Sequence, residues 1–337
     1  MGQFGKIVGV DEAATALGQT REGVLKLLKS GELRGRCLSA DNFEIDYHVL
    51  RAAVAKRTVS EIVFADYLEE QGLGPADYEP DLPGKLRRVD YRLWHHETAY
   101  WFEVKEFDED PSLLGEGRFR SYDPYKFVRK KINEASKNFR DYKGERCSLV
   151  LYNDQLNLAE VRSAEILLSG MLGNLGYSFP INVDEGKIDG EAVLTFGAGG
   201  KMVNRHTGEP SNRRIGALIG LEALPAGKRQ FRIELERRKQ ALGRRFSNEE
   251  RIELLQILPE AYSETVLRVV VCENPYAAWR LPADIFVGPY DERWGLVEDG
   301  SAITRLYAGN KLEALLDEEH ELELDRSPLL RKGFCGE

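Results

Sequence analysis

The chain has 337 residues, a formal net charge of −9, 42% hydrophobic and 31% charged residues, the balance of a folded globular protein rather than a disordered one. No apolar run approaches the roughly 18 residues a membrane span requires, and MGQFGKIVGV has too little basic charge and too short an apolar stretch for a secretory signal; no membrane partner and a cytoplasmic location are expected. Cys37, Cys147, Cys272 and Cys335 stand far apart, which argues against a thiolate zinc site and a disulfide framework, so any metal is expected to be held by oxygen.

In chain order, Asp11–Gly18 predicts a short helix stopped at Gly18. Thr20 can cap a second helix, Arg21 to Lys29, ending at Gly31. Leu33–Leu38 and Phe43–Ile45 bracket the turn-forming Ser39-Ala40-Asp41-Asn42 and predict a small hairpin. Asp46 then starts a third helix, Tyr47 to Lys56. The segments VDEAATALGQTREGVLKLLKSGELRG and FEIDYHVLRAAVAKR resemble the excisionase and MerR-type winged helix-turn-helix domain over about the first 57 residues. That resemblance implies a second helix in the DNA major groove and a wing beside the phosphates. Arg21, Lys26 and Lys29 would face DNA from the helix and Arg34 and Arg36 from the wing, with Val24, Leu25 and Leu28 turned inward. A helical adaptor that contacts protein is the alternative. Nine bases against seven acids in this stretch favour neither.

Ser60 can cap a helix from Glu61 to Gln71 with an apolar stripe at Ile62, Phe64, Ala65 and Leu68. The Gly- and Pro-containing stretch 72–84 reads as a connection. Strands follow at Arg88–Trp94 and Tyr100–Phe107, then a long basic helix, Tyr125 to Tyr142, and a short apolar strand, Cys147–Tyr152. Beyond these, Leu158–Leu175 and the segments 230–240 and 248–258 look helical, and Ile215–Leu224 and Leu267–Cys272 look like buried strands. The alternation predicts one mixed α/β domain with insertions over residues 58–310, followed by an acidic tail, 311–337. From Lys311 to Arg326 there are seven acids against two bases. That tail hides two basic stretches: Arg118–Arg146 has ten bases against four acids, and Lys228–Arg251 nine against four. Most charge runs are solvated helix faces; these are also where a polyanion would bind.

The chemistry lies in RRVDYRLWHHETAYWFEVKEF. With the turn centred between His96 and Glu97, Asp90 falls opposite Glu103, and the two-residue alternation puts Lys105 on the same face as Glu103. The reverse face carries Val89, Tyr91 and Leu93 against Phe102, Val104 and Tyr100. Facing carboxylates repel by up to ~1 kcal/mol, so a positive group should sit between them. Lys105 can serve in part, and Mg²⁺ (or Mn²⁺) is the natural occupant, able to bind a scissile phosphate and activate water.

An Asp on one strand and Glu-x-Lys on the next resembles the PD-(D/E)xK superfamily of restriction-endonuclease-like nucleases. The order helix, strand, strand, helix, strand from about Val59 to Asn153 fits it too. The resemblance implies a mixed sheet flanked by helices, with Asp90, Glu103 and Lys105 as catalytic residues, the two acids holding the metal. It also implies a further acid on the preceding helix, for which Glu61 is the candidate, with Glu69 and Glu70 as alternatives. Val89 stands where the motif has proline. Lys126, Arg129, Lys130, Lys137 and Arg140 could approach phosphates, Lys126 and Lys130 from the end of the helix expected nearest the hairpin. The expectation is a metal-dependent DNA nuclease, most simply acting on duplex DNA and compatible with a homodimer. The alternative is a non-catalytic DNA-binding regulator with a vestigial nuclease fold, and a protein-interaction adaptor is a third reading.

Other features carry less. His95 and His96 read as a polar turn. Gly197–Lys201 lacks the full phosphate-loop pattern and a following apolar helix. His206 lies in a polar loop without an assigned role. Trp279, Tyr290 and Trp294 could stack on bases, but such segments more often cap a core.

Overall fold

Gly18 and Gly31 end the first two helices by taking left-handed backbone angles, φ 61° and 79°, which cost glycine little and other residues more. The structure, a computed structural model, describes residues 7–39, 42–74, 76–81, 87–107, 123, 125–153, 163–179, 181–182, 186–188, 193–204, 207, 209–225, 265–296 and 303–312. It divides into two units, Met1–Gly72 with Ala223–Arg268, and Leu73–Glu222 with Val269–Glu337. The segments expected to be helical at 230–240 and 248–258, most of the acidic tail and His206 lie outside the described residues.

In the first unit β1 (Ile7–Val8) precedes α1 (Val10–Leu17) and α2 (Arg21–Ser30); β2 (Arg36–Ser39) and β3 (Asn42–Asp46) follow, then α3 (Tyr47–Ala55) and α4 (Val59–Glu70). The strands form an antiparallel sheet in the order β1-β3-β2. β1, only two residues long, has too little sequence to show a period and was not expected. Thr20 accepts from the Gly23 N–H at 3.1 Å and Asp46 from the His48 N–H at 2.8 Å, the capping that the sequence predicts. Val24 and Leu28 are buried with Val8, Ala13, Leu33, Phe43 and Ile45, and Leu25 packs partly exposed against them. The first unit includes α4 and runs on to Gly72. Side chains tie α3 to α4: His48 Nε2 and Arg51 Nη1 lie 3.2 Å and 2.6 Å from Asp66 Oδ2.

The second unit holds β4 (Asp77–Tyr78), β5 (Tyr91–His95), β6 (Thr98–Glu106), α5 (Tyr125–Asn138) with a 3-10 turn over Phe139–Asp141, β7 (Arg146–Tyr152) and α6 (Ala164–Leu172). It continues with β8 (Gly173–Ser178), β9 (Ile181–Asn182), β10 (Lys187–Ile188) and β11 (Val193–Gly199). The paired residues of β12 (Ile215–Pro225) and β13 (Thr265–Glu273), with β14 (Glu292–Leu296) and β15 (Ile303–Ala308), complete it. Eight strands form one mixed sheet in the order β15-β14-β13-β12-β7-β6-β5-β4. β6, β7 and β12 run parallel, and β4, β5 and β6 antiparallel. The fold class is mixed α/β, a large mixed sheet flanked by helices.

Around β6 the sheet is covered on both faces, as parallel strands require. One face packs Trp101, Cys147, Leu149 and Leu151 under Val128 and Ile132 of α5 and Leu167 and Met171 of α6. On the other, Phe102 meets Phe286 and Tyr100 meets Trp279 at ring-centroid distances of 5.8 and 6.0 Å. Trp279 and the buried Trp294 thus serve the core. The expected helix to Leu175 stops at Leu172 because Gly173 turns to φ 133°, where an added Cβ would strike the Gly197 carbonyl. No helix is long and apolar enough to cross a membrane among the described residues.

Candidate active site

The pairing of β5 with β6 joins Tyr91 to Phe102, Leu93 to Tyr100 and His95 to Thr98, the register the sequence implies, with His96 and Glu97 in the turn at φ 43° and 61°. The ladder stops at Tyr91, one residue short of Asp90. There the Asp90 side chain replaces the backbone: its Oδ2 accepts from the Val104 N–H at 2.6 Å. Two further contacts hold this stretch. The Glu79 N–H donates to the Asp90 carbonyl at 2.8 Å, and the Tyr142 hydroxyl accepts from the Val89 N–H and donates to the Arg87 carbonyl at 3.2 and 3.0 Å. Because the chain leaves the ladder here, Val89 does not continue the face of Tyr91 and Leu93. It lies in the core beneath α5 with Trp101 and Phe107.

Glu103 shares the face of Trp101, and α5 covers it, leaving its side chain 2% exposed. The strand is therefore buried on both sides, with the Glu103 face closed by α5. Lys105 Nζ lies 2.6 Å from Glu103 Oε1 and 4.0 Å from Asp90 Oδ2, so one ammonium reaches both carboxylates. Asn138, in the last turn of α5, also donates to Glu103 Oε1. Glu103 Oε2 is buried without a hydrogen-bond partner among the described residues. Asn138 and Tyr142 carry no motif signal, and only the packing of α5 brings them to this site.

The remaining candidates lie as follows. Glu61 belongs to the first unit, where its carboxylate accepts from the Thr58 N–H at 2.9 Å and closes a capping box at the start of α4. Lys126 and Lys130 are exposed, but the α5 residue in contact with Glu103 is Asn138, eight residues beyond Lys130 and about 12 Å further along the helix axis. Arg129 is half-buried, bonded to the Ser169 carbonyl at 3.3 Å and to Asn174, and so braces the fold rather than standing free for phosphate. Lys26, Lys29, Arg34 and Arg36 are exposed in the first unit; Arg36 lies 3.8 Å from Glu44, and Arg21 is paired with Asp11 at 2.7 Å.

No protein-family model, curated protein or solved structure matches the chain.

Proposed function

We propose that the protein is a metal-dependent nuclease that cleaves phosphodiester bonds in DNA, docked through its N-terminal unit. One observation carries the reading: Asp90 and Glu103 both come within reach of the Lys105 ammonium, while a buried oxygen of Glu103 has no hydrogen-bond partner among the described residues. A buried carboxylate oxygen without a donor is costly, and a hard divalent cation is the group that best relieves it. The donors fit Mg²⁺ or Mn²⁺, which favour oxygen ligands; Asp90 and Glu103 would hold the ion. When bound, it would supply charge for the phosphate and lower the pKa of a bound water. Lys105 would offer its ammonium to a non-bridging phosphate oxygen, Asn138 would orient Glu103, and Tyr142 would fix the backbone beneath Asp90. In the first unit, α2 with Lys26 and Lys29 and the β2–β3 hairpin with Arg34 and Arg36 are the proposed winged helix-turn-helix surface for duplex DNA.

A second reading has its own support. Lys105 already neutralises Glu103 at 2.6 Å, which also suits a non-catalytic DNA-binding regulator that keeps a stable relic of the site. Incubating the full chain with varied DNA substrates and Mg²⁺ or Mn²⁺ separates them. Cleavage that disappears in Asp90→Asn and Glu103→Gln while DNA binding persists is the expected result. Binding without cleavage on every substrate and metal would leave the regulator.

A further inference from the structure

Successive residues of an extended strand point to opposite faces. Yet His95, the last residue of β5, and His96, the first of the turn, reach the same carboxylate. His95 Nε2 lies 3.1 Å from Asp284 Oδ1, and His96 Nε2 lies 3.1 Å from Asp284 Oδ2. The backbone makes this convergence possible. His96 and Glu97 adopt φ 43° and 61°, the left-handed pair of a tight hairpin turn that Asn-Gly or Gly-Gly usually supplies. A strained conformation held by residues poorly suited to it is a pointer to function, and here it carries an imidazole onto Asp284.

Two imidazole nitrogens and a carboxylate oxygen lie within 4.8 Å of one another. Bond lengths of about 2.0–2.2 Å around a tetrahedral ion place its ligand atoms about 3.3 Å apart, so closure asks only for small side-chain rotations. His96 and Asp284 are 77% and 58% exposed and His95 16%, which leaves one side of the cluster open to an ion and a water. We propose that His95, His96 and Asp284 form a three-ligand site for a borderline divalent transition metal such as Zn²⁺, Ni²⁺ or Co²⁺. Imidazole nitrogen suits these ions, whereas Mg²⁺ prefers oxygen. The site is thus chemically distinct from the Asp90–Glu103 pair and does not depend on the nuclease reading. Its effect would be structural. Asp284 lies two residues from Phe286, whose ring packs on Phe102 of β6, so a bound ion would pin the hairpin tip to the segment that covers the hairpin.

The test titrates the full-length protein, stripped with a chelator, with Co²⁺ in excess Mg²⁺, and follows the visible absorption of the bound ion. One Co²⁺ per chain, displaced by Zn²⁺, is expected, with affinity reduced about tenfold or more in both His96→Ala and Asp284→Asn. Glu103→Gln should leave this binding unchanged. Both weakening substitutions alter exposed side chains, so loss of the fold does not confuse the result. Absence of the absorption band in the wild type, or wild-type affinity in either variant, overturns the proposal.

Discussion

Glu103 sits beneath a helix at 2% exposure, where an ionised carboxylate is tolerated only if it is paired and hydrogen-bonded. Lys105 supplies the pairing, so the two substitutions should differ in kind. Lys105→Ala would leave a buried charge without its cation and should cost about 3 kcal/mol in urea unfolding, whereas Glu103→Gln removes the charge itself and should cost much less. The double substitution should recover stability relative to Lys105→Ala. Equal values for that single and the double would show that the unpaired Glu103 charge carries no penalty, and additive single effects would show that the ion pair contributes nothing. If the proposed nuclease function holds, cleavage should be lost in Glu103→Gln although the fold persists, which makes this variant a cleaner probe of chemistry than Lys105→Ala.

At the scale of elements, the links between α3 and α4 are titratable. Burial pulls the His48 pKa down, but its hydrogen bonds and charge pairing with Asp46 and Asp66 outweigh this and raise it above 6.5. For Asp46 and Asp66 burial acts upward, yet the bonds to His48, and for Asp66 also to Arg51, bring their pKa values below 3.8. The histidine's contribution is complete below pH 6.5 and lost as pH rises through its folded pKa. That of the two aspartates is complete above pH 3.8 and lost as pH falls through theirs. Unfolding followed across this range should show stability declining on the alkaline side, and His48→Gln should flatten the decline; an unchanged slope would refute the link. Glu61 is tied to the same region. Thr58→Ala should cost about 1 kcal/mol through loss of the cap, while Glu61→Gln should leave the proposed nuclease activity nearly unchanged if its carboxylate serves only the capping box. A collapse of turnover in Glu61→Gln would instead restore it to the catalytic set. Tyr142→Phe tests the other anchored element: it removes the hydroxyl that holds Arg87 and Val89 and should lower cleavage while Asp90, Glu103 and Lys105 are all retained.

For the whole molecule, the net charge of −9 means that any DNA affinity must come from local clusters rather than from the overall field. Each phosphate neutralised contributes about −0.9 to the slope of log affinity against log salt. Replacing Lys26 and Lys29 together should therefore reduce that slope by about 2 on duplex DNA, as measured by fluorescence anisotropy across a salt series. An unaltered slope would remove α2 from the interface. Point substitutions are the right probe, because a cut after residue 57 would pass between α3 and α4 and sever the His48 and Arg51 contacts with Asp66.

Local chemistry made much of this protein legible. Gly18, Gly31, Thr20 and Asp46 mark helix ends through backbone freedom and capping, both of which act over a few residues. The hairpin register followed from period-two alternation and a turn centred on His96 and Glu97, so the placement of Glu103 with Lys105 could be read from the sequence alone. Contacts between distant segments could not, because no local period encodes them. Only tertiary packing lays α5 over Glu103 and brings Asn138 and Tyr142 to the site. Only tertiary packing joins α4 to the N-terminal helices through Asp66. And only the folded chain sets Asp284 against two histidines nearly two hundred residues earlier, since that meeting depends on how loops return over the sheet.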